Sequence, residues 1–142
     1  LIKSIDNTRF IDHASGWHDQ GVGDFRSLHV YFKSVKMPGK DKFDRAIVLS
    51  EFGGYSFGVE GHCGSSSQFG YSKYYSKVEL NSAIEKLFDS EVIPNVKKGL
   101  SATVYTQVSD VEDEVNGLLT YDRKVCKADE ETFIKINQQL VL

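Results

Sequence analysis

Glu51 stands at the end of a short apolar run, Ala46 to Leu49, and two glycines, Gly53 and Gly54, follow it closely. A continuous apolar run that stops abruptly reads as a strand buried on both faces of a parallel sheet. A carboxylate at its end lies at the mouth of the sheet, where glycines let backbone and substrate approach closely. The plainer alternative is a strand-end Glu paired with a nearby Arg or Lys. His13, His18, His62 and Cys63 are further side chains with chemistry to offer, but their spacings match no zinc pattern, so neither a metal nor a cofactor is expected.

The elements that must position Glu51 follow from periodicity and turn residues. Leu1 to Ile5 reads as a helix end, and Arg9 to Ser15 and Leu28 to Phe32 read as short strands. The Gly-, Ser- and Tyr-rich stretch from Tyr55 to Tyr75 is a long loop, of the kind that is usually functional or mobile inside a domain. Ser76 and Glu79 fit a capping box, and Leu80, Ala83, Ile84, Leu87 and Phe88 share one face, so a helix is expected from Lys77 to about Lys98, kinked or ended by Pro94 and stopped by Gly99. Ser101 to Gln107, rich in β-branched residues, is a further strand. Asn116-Gly117 is a turn, Leu118 to Tyr121 a short extended piece, and Asp129 to Leu140 a closing helix with an acidic first turn. Strands alternating with helices imply an α/β fold with a parallel sheet.

The bulk properties agree with one domain, residues 1–142. The chain has 142 residues, 40% of them hydrophobic, 12% aromatic and 26% charged, which suits one folded core. A net charge of -3 without a basic run gives no footprint for nucleic acid or an anionic membrane, and no stretch approaches the roughly 18 apolar residues of a membrane span. The two cysteines, Cys63 and Cys126, form no disulfide framework, so a reducing compartment, the cytoplasm, is expected. The chain opens on Leu1 rather than Met, from which we expect a missing N-terminal part.

Val48-Leu49-Ser50-Glu51-Phe52-Gly53-Gly54 resembles the nucleophile strand of glycoside hydrolase family 2, the family of β-galactosidases and β-glucuronidases. Three further segments agree in order. Asn7-Thr8-Arg9 through Ser15-Gly16 is similar to the fifth barrel strand, Ser27 to Phe32 to the sixth, and Gly99 to Arg123 to the eighth with its loop. The resemblance implies the C-terminal half, strands five to eight, of a TIM (β/α)8 barrel. The family's acid/base Glu follows an Asn at the end of strand four, and no Asn-Glu dipeptide occurs here. The implied function is therefore part of a retaining β-glycosidase acting on β-galactoside or β-glucuronide type bonds, a fragment inactive by itself because it lacks the proton donor.

On this resemblance Glu51 is the nucleophile, His29 and Tyr31 are its hydrogen-bonding neighbours, and Tyr31 orients it. Tyr105 would floor the sugar site and Trp17 would stack at the rim, although plain packing accounts equally well for Tyr31 and Tyr105, and a single Trp in a loop is more often a local packing anchor. Glu112 would accept a substrate hydroxyl. Asp110, Glu112 and Glu114 are weak candidates for the proton donor. A carbohydrate is the expected partner. Half a barrel exposes strand edges and an inward apolar face, so a homodimer is expected, with Ala46 to Leu49 and Thr103 to Tyr105 near the contact. The rival readings are a non-catalytic carbohydrate-binding or structural module and a metal-dependent hydrolase.

Overall fold

Three apolar segments pair as β1 (Phe25–Val30), β2 (Ala46–Gly53) and β3 (Leu100–Thr106), in a parallel sheet of order β1-β2-β3. The structure is a computed structural model that describes residues 1–13 and 16–140. Ile47, Leu49 and Phe52 of β2 are buried against Leu80, Ile84, Phe88 and Val92, so the helices cover one face of the sheet. This is the expected mixed α/β arrangement with a parallel sheet.

The chain opens with a single helical turn, α1 (Ile2–Ile5), and between β2 and β3 it forms α2 (Lys77–Leu87), a π-helical turn at Phe88–Val92 and α3 (Ile93–Val96). Ser76 caps α2 by accepting from the Glu79 amide at 3.1 Å, and Glu79 reaches back to the Tyr75 amide at 2.9 Å. Pro94 lacks an amide hydrogen and would clash with the preceding turn of a regular helix; the wider turn just before it lets the axis continue. The helix thus ends two residues short of the expected Lys98, and Gly99 takes a positive φ of 99° beyond it. The closing helix α4 (Glu130–Gln139) is capped by Asp129, whose carboxylate accepts from the Thr132 amide at 3.0 Å.

Several boundaries differ from expectation. β1 begins at Phe25 rather than Leu28 and stops at Val30, because Phe32 adopts a positive φ of 58° and leaves the extended region. Residues 9–13 form no strand, and Ala14 and Ser15 lie outside the described residues. Ile11, Asp12 and Gly16 nevertheless run beside β1 through other bonds. The Asp24 amide donates to the Ile11 carbonyl at 2.8 Å, the Asp24 carboxylate accepts from the Ile11 amide at 2.7 Å, and Ser27 donates to Asp12 at 2.5 Å. A side chain that satisfies backbone groups in this way replaces a strand ladder. Leu118 to Tyr121 makes only isolated bridges, Leu119 with Ser109 and with Cys126.

The second face of the sheet is partly open. Val104 is 56% exposed, and Ala46 and Ala102 are exposed beside it. Ile47, Val48 and Leu49, expected near a dimer contact, are already buried within one chain. The apolar surface left uncovered is therefore smaller than the sequence suggested.

The loops after β2 and β3 are held by a buried cation. Lys127 Nζ donates to Asp110 at 2.7 Å and to the Phe57 and Val115 carbonyls at 2.9 Å each, with its side chain fully enclosed. Asn81 on α2 donates to the Lys127 carbonyl at 2.8 Å and accepts from the Asp129 amide at 2.7 Å, tying this knot to both helices. Removing one partner of such a pair strands the other charge. Lys127→Met is expected to lower the unfolding free energy by about 3–5 kcal/mol in urea titration, and adding Asp110→Asn should recover part of that loss. A change below about 1 kcal/mol would mean that water reaches the pair, as at an exposed ion pair.

Candidate functional site

Glu51 owes its orientation to a bulge. Leu28 pairs with Leu49 and His29 with Glu51, so Ser50 is an extra residue on β2. Strict alternation from Ile47 and Leu49 would send the Glu51 side chain under the helices with them. The extra residue turns it to the opposite face, beside His29, and returns Phe52 to the core at 1% exposure.

On that face the Glu51 carboxylate meets two side chains, Tyr31 and His29. The Tyr31 hydroxyl donates to Glu51 Oε2 at 3.0 Å and lies 3.0 Å from Thr106 Oγ1. Since the phenolic proton points to the carboxylate, Thr106 serves as the donor to Tyr31. His29 Nδ1 lies 3.3 Å from the same Oε2 but outside hydrogen-bond geometry, and this buried nitrogen has no other partner among the described residues. Burial pushes the Tyr31 hydroxyl above its ordinary value; the Thr106 bond opposes the shift and Glu51 adds to it. Tyr31 therefore remains a donor through the neutral range. Glu51 Oε1 accepts no hydrogen bond among the described residues, and the side chain is 47% exposed.

Aromatic rings wall the site. Trp17, 58% exposed, sets its ring edge-on to His29 at 5.7 Å and tilted against Tyr31 at 6.4 Å. Tyr71, from the long loop after β2, stacks on Tyr31 at 4.1 Å. Gly54, with φ of 65°, is where Tyr71 passes: a Cβ there would come within 2.2 Å of its ring.

Of the residues picked out from the sequence, Glu51, His29, Tyr31 and Trp17 come together. Tyr105 does not. It pairs with Phe52 across the sheet and packs edge-on to it at 5.6 Å and against Phe88 at 6.5 Å, on the helix-covered face. The Tyr105 hydroxyl is buried there without a partner, the nearby Tyr55 amide falling outside hydrogen-bond geometry. Glu112 is exposed in a turn of positive φ, 54°, with its carbonyl beside Gly64 and no bond to the cluster. Asp110 is committed to Lys127, and Glu114 accepts from Gln107 at 2.8 Å. The cluster thus holds one carboxylate among the described residues. Thr106 and Tyr71 were missed. Thr106 could have been found by alternation from Tyr105, whereas nothing in the loop sequence distinguishes Tyr71 from its neighbouring tyrosines.

His62 and Asp122 form a separate pair at 2.9 Å, which holds the Asp122 carboxyl down at about 2. Among the described residues no group of three or more His, Cys, Asp or Glu could hold a metal, and no helix is long and apolar enough to cross a membrane. Compared with protein-family models and with curated proteins, the chain matches none.

Because Tyr105 leaves a core hydroxyl without a partner among the described residues, Tyr105→Phe is expected to hold the unfolding free energy from urea titration or raise it by up to about 1–3 kcal/mol. A drop beyond about 1 kcal/mol would mean that the hydroxyl is bonded after all. Burial raises Tyr31, Tyr55, Tyr74 and Tyr105 alike. Their stabilising contribution is complete below the unfolded value near 10 and is lost as pH rises beyond it, since the unfolded chain ionises first. Urea midpoints measured between pH 8 and 11, estimates set by that tyrosine value, should fall with pH, and less steeply in Tyr105→Phe.

Proposed function

We propose that this chain is the C-terminal half, strands five to eight, of the catalytic (β/α)8 barrel of a family-2-like retaining β-glycosidase, with Glu51 as its nucleophile. The observation that carries the reading is the Tyr31 bond to Glu51 Oε2 at the C-terminal end of the central parallel strand. That bond holds one oxygen and leaves Oε1 to attack. β1, β2 and β3 would be the sixth, seventh and eighth strands. The exposed Ala46, Ala102 and Val104 leave room for the other four strands or for a second copy.

In the first step Glu51 Oε1 bonds to the anomeric carbon as the glycosidic C–O bond breaks, and the leaving oxygen takes a proton from an acid. In the second, water deprotonated by the same group displaces the carboxylate, restoring the original configuration. The acid/base must come from outside this chain, since retaining enzymes set the two carboxyl groups about 5 Å apart and no second carboxylate joins Glu51. The exposed Trp17 ring suits an apolar sugar face. The substrate would be a β-galactoside or β-glucuronide. The lone carboxylate also favours a second reading, a non-catalytic carbohydrate-binding module.

A 2-deoxy-2-fluoro-β-glycoside with a dinitrophenolate leaving group needs little protonation, so it should trap the full-length protein as an ester on the Glu51 peptide, detected by mass spectrometry. Glu51→Gln should abolish the ester and lower kcat/KM by roughly three orders of magnitude or more. The full-length protein without an adduct, or Glu51→Gln retaining above about a tenth of the activity, would leave the non-catalytic reading. The chain alone should not turn over aryl β-glycosides. Turnover that Glu51→Gln abolished would place a second carboxylate within it, with Glu112 the first suspect.

A further inference from the structure

Beyond the Tyr31–Tyr71 stack lies a cleft of about 460 Å³, between the segment after β1, the end of the long loop and α2. That volume is within the roughly 300–1,000 Å³ of small-molecule sites. Two aromatic pairs line it. Phe32 stands edge-on to Tyr71 at 5.0 Å, and Tyr55 is tilted against Tyr74 at 5.3 Å. Phe32 is 80% exposed and held there by a left-handed backbone, φ 58°. A large ring kept in solvent in an unfavourable conformation calls for a role beyond packing.

The polar groups of the cleft are as telling as its rings. The hydroxyls of Tyr55 and Tyr74 bond to no protein group among the described residues, and Ser72 and Lys86 add further donors to the lining. Lys86 forms no ion pair among the described residues. A purely apolar ligand would strip water from these groups without replacing it. A sugar ring presents CH faces to aromatic rings and hydroxyls around its rim, so it satisfies both. Tyr31 and Tyr71 border this cleft and the Glu51 cluster alike, so a sugar in the cleft and one at Glu51 would be neighbours across a single aromatic stack.

We propose that the cleft is a saccharide-binding site for further units of a β-linked oligosaccharide, and that the substrate is a chain of sugars rather than a simple disaccharide or aryl glycoside; its place in catalysis rests on the glycosidase reading. Binding would be measured by calorimetry on this chain, with ladders of two to five units of β-1,4-linked galacto-, manno- and gluco-oligosaccharides as probes. One ladder should tighten about tenfold or more from two units to four, equivalent to about 1.4 kcal/mol. Phe32→Ala and Tyr74→Ala should each return the four-unit ligand to near the two-unit affinity. Phe32 is mostly exposed, so its replacement leaves the core untouched, and circular dichroism would verify this for both variants. In the full-length protein, Phe32→Ala should reduce kcat/KM on the longer substrate while leaving an aryl glycoside unaffected. No binding by any ladder, equal affinity across all lengths, or a length dependence indifferent to Phe32 would overturn the inference. Its failure is distinct from failure of the nucleophile assignment, because ester formation at Glu51 uses a single sugar ring.

Discussion

The central strand faces two demands that strict alternation cannot meet together. Its apolar residues must stay beneath the helices, while its carboxylate must point to the opposite face. Ser50, the unpaired residue between Leu49 and Glu51, resolves the conflict. Were Ser50 paired in regular alternation, Glu51 would share the face of Ile47 and Leu49, where an ionised carboxylate would be desolvated among hydrocarbon side chains. With Ser50 unpaired, Phe52 returns to the core and Glu51 reaches His29 and Tyr31. One bulge thereby sets both the packing of the helix layer and the composition of the site.

The surroundings of Glu51 combine fixed and open elements. Tyr31 is held from three directions: by Thr106 and Glu51 at its hydroxyl and by the Tyr71 ring on its face. Its orientation therefore does not depend on a ligand. The free Oε1 of Glu51 and the exposed Trp17 ring instead face outward. A carboxylate kept at a strand end by a neutral donor, with one oxygen unengaged, differs from a structural ion pair, for which an Arg or Lys partner would be expected. Arg45 is occupied elsewhere, at 2.8 Å from Asp19 and 2.9 Å from Asp41.

Tyr71, Phe69 and the aromatic pair of the cleft come from the long loop after β2, which is irregular yet anchored. The Phe57 amide donates to the Val115 carbonyl at 3.0 Å, the Phe69 amide to Asp113 at 2.7 Å, and Lys127 reaches under the loop to the Phe57 carbonyl. Such bonds give a long loop a defined place without regular secondary structure, which is how loops on a rigid sheet come to carry binding residues. The buried Lys127–Asp110 pair accordingly positions the loop near the site without touching it.

Local chemistry determined the elements whose signals lie within a few consecutive residues. The apolar run ending at Glu51, the Ser76 capping box, the helical face from Leu80 to Phe88 and the cap at Asp129 were all legible, because each depends on short-range spacing. So was Glu51 as a candidate, from its place at a strand end, and Trp17 from its place after one; His29 and Tyr31 were named only through the resemblance to glycoside hydrolase family 2. Tertiary structure alone decided which side of the sheet each one faces. A bulge leaves no mark in a sequence, yet it reverses every later side chain on its strand. On β3 a second extra residue, Ser101 between the pairs Ile47–Leu100 and Val48–Ala102, set Tyr105 beside Phe52 in the core and Thr106 beside Tyr31. The loop tyrosines likewise acquired their roles only once the bonds to Val115, Asp113 and Lys127 had folded the loop back over the end of the sheet.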